Sequence, residues 1–158
     1  NYFRSVRQSL KSDGVFMLDL VGGPGMILPM HEKKAVYDEY GKKCATYIWH
    51  QQTFDPVNRE GHWAIHFKKR GGRPMMEAFH YHWRLWTIPE VRDALKEAGF
   101  DFTCVYWETE HKGKGTGEFI RTETGDNAYS WIAYVMASCR KFKPEAKRKS
   151  AKASPKSR

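Results

Sequence analysis

Cysteine is scarce in this sequence: 158 residues hold only Cys44, Cys104 and Cys139. Three thiols at such wide spacings form no CxxC pair and no zinc-ligand pair. A disulfide framework is thereby excluded, and plain thiols in a reducing compartment are expected. Long apolar runs are missing too. No stretch approaches the ~20 residues of a membrane span, and the opening carries no signal-peptide pattern, so a cytoplasmic location is expected. There is no HExxH, no nucleophile elbow and no Ser–His–Asp order. Nor does any strand lead through a glycine-rich GxGxG turn into a helix, the arrangement that presents backbone N–H groups and a helix N-terminus to a nucleotide-like cofactor. No internal repeat is found.

What is abundant is aromatic surface. Six Trp, eight Tyr and nine Phe make 15% of the chain, within 41% hydrophobic and 28% charged residues. That composition argues for one folded domain with buried sheet. The net charge of +9 is unevenly spread. Residues 140–158 hold nine Lys/Arg against the single Glu145, so the chain's 27 basic and 18 acidic residues leave 18 and 17 for residues 1–139. A near-neutral domain, 1–139, therefore carries a basic tail, 140–158, whose composition reads as disordered. The tail is suited to weak contact with RNA, DNA or acidic lipid, and its KRK triplet to nuclear import; the plainer reading is a solvating tail without a partner.

Along the chain, Phe3, Val6 and Leu10 mark one face of a helix over residues 2–11, which Gly14 is placed to end in the left-handed conformation. The run VFMLDL at 15–20 reads as a strand buried on both faces, as in a parallel sheet covered by helices. A glycine–proline loop, VGGPGMILP, and a polar stretch with room for one short helix follow. Period-two alternation then predicts three strands over 46–54, 62–69 and 76–86, an antiparallel meander within an insertion spanning 44–86. Thr87, Pro89 and Glu90 have the pattern of a helix start, Ile88, Val91, Leu95 and Ala98 give its buried stripe, and Gly99 ends it. Residues 101–108 and 130–138 read as strands, with a long charged loop or loose hairpin between them.

Several side chains are candidates for chemistry. Asp19 lies near the C-terminal end of the first strand, where open α/β sheets bind ligands; as a carboxylate in a buried strand it needs a partner, and its plainer role is to order the Gly22–Gly25 loop. That loop resembles a phosphate cradle only superficially, since Pro24 lacks an N–H and no helix of good pattern follows. His80, His82 and Arg84 alternate along one strand face. Arg84 is suited to clamp a carboxylate or phosphate, while Tyr81, Trp83 and Trp86 are suited to wall a pocket for an aromatic or cationic group. The competing reading makes the aromatics core and pairs Arg84 with a glutamate. His80 and His82 require His62 or His66 across the sheet before they share a metal, and solvated strand histidines are the simpler expectation.

The order of helix, strand, insertion, capped helix ending in AGF, strand, loop and final antiparallel strand resembles the C-terminal half of a class I S-adenosylmethionine-dependent methyltransferase. The segment FHYHWRLWTIPEVRDALKEAGF carries most of that likeness. The resemblance implies an α/β, partial Rossmann-like methyltransferase fold with the antiparallel three-stranded meander inserted. Residues 15–20, 102–107 and 131–137 would be its fifth, sixth and seventh strands. It further implies S-adenosylmethionine as cofactor, a small-molecule methyl acceptor, and an acceptor site formed by Asp19, Tyr81, Trp83, Arg84 and Trp86. The cofactor-binding half is not in this sequence, and the chain opens on Asn1 rather than Met. The expectation is therefore a substrate-side half, inactive alone, whose open sheet is covered by an upstream segment or a second copy. A different class of reading is a non-catalytic interaction module with an anion-binding tail.

Overall fold

A computed structural model describes residues 1–111 and 113–140; the basic tail expected to be disordered lies, from Lys141 onward, outside the described residues. The chain opens with α1, Tyr2–Ser9, whose Phe3 and Val6 turn inward as the periodicity predicts. The helix stops earlier than expected, because Leu10 is already extended; Gly14 closes a turn onto the Lys11 carbonyl without left-handed backbone. Then β1, Val15–Gly22, leads into a short 3-10 turn, Pro24–Ile27.

Four consecutive strands follow: β2, Met30–Tyr37; β3, Lys43–Asp55; β4, Glu60–Lys69; and β5, Pro74–Arg84. They form one antiparallel sheet in the order β2-β3-β4-β5. The last three are the expected meander. β2 occupies the polar stretch where a short helix had room, and its charges are those of an edge strand wetted on both faces. Helix α2, Ile88–Glu97, starts on a complete capping box, with Thr87 and Glu90 each accepting from the other's backbone N–H, and Gly99 (φ 92°) ends it. The chain finishes with β6, Phe102–His111; β7, Lys114–Thr122; and β8, Trp131–Ser138.

These last strands join β1 in a second sheet of order β1-β8-β6-β7. Every pairing in both sheets is antiparallel. The expected α/β, partial Rossmann-like class is thereby overturned: the described residues form two four-stranded antiparallel sheets with two α-helices. β1 and β6 do run the same way, but β8 lies between them and pairs with both. The reading of β1 as a strand buried on both faces fails for the same reason. β1 is an edge strand, with Phe16, Leu18 and Leu20 turned inward and Val15, Met17 and Asp19 exposed.

Both helices cover one face of the β1-β8-β6-β7 sheet. Leu20, Val91, Leu95, Phe100, Val135 and Ala137 are buried there, with Phe3, Val6, Leu10 and Phe16 packed against them. Each of the buried Leu, Val and Phe side chains contributes about 1.5–3 kcal/mol when fully removed from water. A smaller cluster of Met26, Trp63 and Leu85 binds the two sheets together, with Val21 from β1 and Trp49 from β3 against it.

Candidate functional site: a tryptophan cleft between the sheets

The Gly–Pro loop is the plate on which the sheets meet. Gly25 N–H donates to the Tyr129 carbonyl at 2.7 Å, tying the loop to the first sheet. On the other side the amide of buried Gln51 donates to the Gly25 carbonyl (2.8 Å) and the Leu28 carbonyl (2.6 Å). Glycine is required for this approach. A Cβ on Gly22 would stand 2.1 Å from the Trp131 ring, and one on Gly23, whose φ is 99°, would stand 2.6 Å from the Tyr129 carbonyl. The phosphate cradle does not describe it. Pro24 has no N–H, Gly25 N–H is bonded to Tyr129, and Met26 N–H donates to the Gly23 carbonyl.

Where β1 ends, a cleft of about 350 Å³ opens between the sheets, lined among others by Gly22, Arg59, Trp86, Trp107, Asp126 and Trp131. Trp107 ends one side of the β6–β8 pairing and Trp131 opens β8 opposite Gly22, so their indoles meet at 5.0 Å between centroids. Gly125 lies against the Trp107 ring, where a Cβ would come within 2.9 Å. Trp86 follows β5, and Leu85 beside it is clamped in both directions. Leu85 N–H donates to the Arg59 carbonyl at 2.8 Å, and Arg59 Nε donates to the Leu85 carbonyl at 3.0 Å.

The α2 cap forms the cleft's polar lip. Thr87 N–H donates to Glu90 Oε2 at 2.7 Å, and the Thr87 hydroxyl donates to the same oxygen at 2.8 Å. The Thr87 backbone N–H, then its hydroxyl and, more weakly, the Arg84 guanidinium hold the Glu90 carboxyl below its ordinary range. Arg84 lies 3.8 Å from Glu90 and stacks 4.0 Å above the Trp86 ring. This is the glutamate pairing the plainer reading anticipated, and it leaves Arg84 committed on the protein's own groups.

Of the residues expected to form the acceptor site, Trp86 alone lines the cleft. It also borders a larger apolar groove of about 780 Å³ between α1, β1 and α2, which Asp19 reaches from the edge of β1. Asp19 is exposed, so the premise of a buried carboxylate is corrected: it stands on an edge strand open to water. Tyr81 and Trp83 lie elsewhere, on the aromatic face of β3–β5, with tilted rings 4.4 Å apart and close to Trp49 and Trp63. The Trp63 indole N–H there is buried without a partner. Sequence reasoning missed Trp107, Trp131, Arg59 and Gly125, and gave Gly22 no part in the cleft. The available signal was two tryptophans at the ends of adjacent strands, each facing a glycine.

The cleft offers flat π surfaces, one guanidinium and one exposed carboxylate. Such a set binds and orients a planar or cationic group rather than attacking it. Burial pushes the Cys104 thiol up, away from nucleophilic use. Among the described residues, no group of three His, Cys, Asp or Glu is placed to hold a metal ion, and no helix is long and apolar enough to cross a membrane. No protein-family model matches the chain, and no curated protein matches it. The functional reading therefore rests on geometry.

Proposed function

We propose that this chain is the acceptor-binding side of an S-adenosylmethionine-dependent methyltransferase, with the cofactor-binding side pairing along β1. The carrying observation is the β1 edge. The other three sheet edges are guarded in recognised ways: Glu32, Lys33 and Lys34 on β2, a bulged backbone at Glu77 on β5, and charges with a left-handed Gly117 on β7. β1, with the sequence VFMLDLVG, has neither bulge nor basic residue, and it leaves Val15 and Met17 40% and 51% exposed. An edge whose single charge is Asp19, beside an apolar groove, is suited to receive a further strand.

The residues present do not themselves fit the cofactor, because the glycine-rich loop after β1 is bonded on both sides as described above. No step is therefore assigned to it. The chain's own contribution is positioning: Trp86, Trp107 and Trp131 hold a flat acceptor and exclude water, while Arg59 and Asp126 orient its polar groups. Equilibrium dialysis of the purified chain against labelled S-adenosylmethionine tests this division. Negligible retention is expected, and a tight stoichiometric complex overturns it. The coding frame upstream of Asn1 supplies the decisive check: a strand, glycine-rich turn and helix are expected, and their absence favours an interaction module that buries β1 against a partner.

A further inference from the structure

Six of the seven histidines stand on one face of the β2–β5 sheet. Cross-strand register puts His31 opposite His50, Ala64 between His50 and His80, and His62 opposite His82; His66 follows two residues beyond Ala64 on the same face. The rings touch in two groups. His31 meets His50 edge-on at 3.8 Å, and His50 Nδ1 lies 3.1 Å from His66 Nε2. At the other end His62 stacks on His82 at 4.4 Å, and His62 Nδ1 lies 3.4 Å from His80 Nε2. His82 reaches Glu60 at 3.3 Å, so a carboxylate stands ready to compensate charge in that second group.

The first group is wired in one direction. The Glu77 backbone N–H can only donate, and it donates to His66 Nδ1 at 2.7 Å. His66 is 2% exposed, so its proton sits on Nε2 and points at His50 Nδ1, which must accept. Glu77 itself holds an uncommon left-handed backbone (φ 49°) beside the register shift between β4 and β5, and its carboxylate accepts from Gln52 on β3 at 3.0 Å. A single line of contacts thus runs from β2 to the bulge in β5.

We propose that this line is a proton-operated latch: acidification breaks the His50–His66–Glu77 line at one of its two hydrogen bonds and loosens the β5 bulge while the helix-covered sheet stays folded. A proton taken from solvent by His50 Nδ1 turns an acceptor into a donor facing a donor. If His66 answers by changing tautomer, its Nε2 accepts from His50 and the ring proton, now on Nδ1, faces the Glu77 N–H. Either way one bond of the line is lost. The titratable groups facing His50 are His31 from β2, His66 from β4 and Glu77 from β5, with Lys33 two residues along β2 on the same face. Desolvation first, then His31 and His66, lower the His50 pKa against the weaker opposite pull of Glu77. A lowered folded value means that the unfolded chain binds the proton more readily. The latch is thus at full strength above the ordinary imidazole value of 6.5, and it weakens as the pH falls through 6.5 towards the folded value.

Amide hydrogen exchange on the intact chain from pH 7.5 to 5, corrected for intrinsic rates, is the test. The Glu77 amide is expected to lose protection about three- to tenfold, the worth of one hydrogen bond, while Val135 in the first sheet keeps its protection. His50→Gln, which still accepts from His66 but does not titrate, is expected to abolish most of that loss. His111→Gln, on β6, is expected to leave it intact. Glu77 protection that is flat with pH overturns the latch, as does joint loss at Glu77 and Val135. Should His50→Gln fail to fold, His31→Gln takes its place, with a smaller Glu77 loss expected than in the parent chain and an unchanged one counting against the latch.

Discussion

The two sheets have the same strand count and the same antiparallel pairing, yet different forces hold them. The β1-β8-β6-β7 sheet buries an aliphatic face under α1 and α2, around Leu20, Val91, Leu95 and Val135. The β2-β3-β4-β5 sheet has indoles and phenols on one face and imidazoles on the other, and its buried cluster is Met26, Trp63 and Leu85. The first is stabilised by area removed from water, which depends weakly on pH and salt. The second relies on ring pairs and hydrogen bonds across strands, individually worth about 0.2–1 kcal/mol and sensitive to protonation. Two sheets of equal strand count can thus respond very differently to solution conditions.

Breaking that contrast at its strongest point means Leu95→Ala. Leu95 is fully buried, so a loss of about 2–5 kcal/mol is expected in urea unfolding, with the unfolding of the first sheet leading. Gly22→Val attacks the seam instead. Its side chain meets the Trp131 ring, and a cost of about 1–3 kcal/mol is expected together with altered Trp fluorescence from the cleft. Thr87→Ala removes one partner of the capping box and is expected to cost about 1 kcal/mol. It also sharpens the pH comparison. Because Glu90 sits below its ordinary value when folded, its contribution is present above that value and lost as pH falls through the folded one. The variant should flatten this acid dependence, as acid titration of the melting temperature will reveal. Smallest of all is Arg84→Ala. The pair with Glu90 is solvent-exposed, so a change within about 1 kcal/mol is expected by thermal melt, with the clearer signal in Trp86 emission.

Local pattern was legible wherever one face was dry. The period of Ile88, Val91 and Leu95 and the Thr87–Glu90 box located α2, and alternation through Trp63, Ile65 and Phe67 located β4. β2 was hidden because an edge strand wetted on both faces has no apolar alternation to read. Pairing was legible in the 44–86 meander, whose strands are neighbours in the chain, but not for β1. An apolar run such as 15–20 is compatible with a covered parallel strand or with an edge that buries alternate residues, and only the partner, β8, decides between them. The same holds for the cleft. Trp86 was visible as an aromatic beside a helix start, whereas Trp107 and Trp131 become neighbours only through the register of strands far apart in the chain. Arg84 was legible in both of its readings, and its place beside Glu90 and over the Trp86 ring favours the plainer one.

The pairing of Val15 with Ser138 also sets a timetable. Strands β2 to β5 are neighbours in the chain and can zip as successive hairpins once residue 84 has been made, a matter of microseconds per hairpin. β1, made earlier, must wait for β8, a further 54 residues away at Ser138. At ~5–20 residues per second of synthesis, that is roughly 3–10 s during which this apolar strand has no partner. The nascent chain therefore offers VFMLDLV to chaperones, or to its neighbours on the same messenger, long after the histidine-bearing sheet has closed.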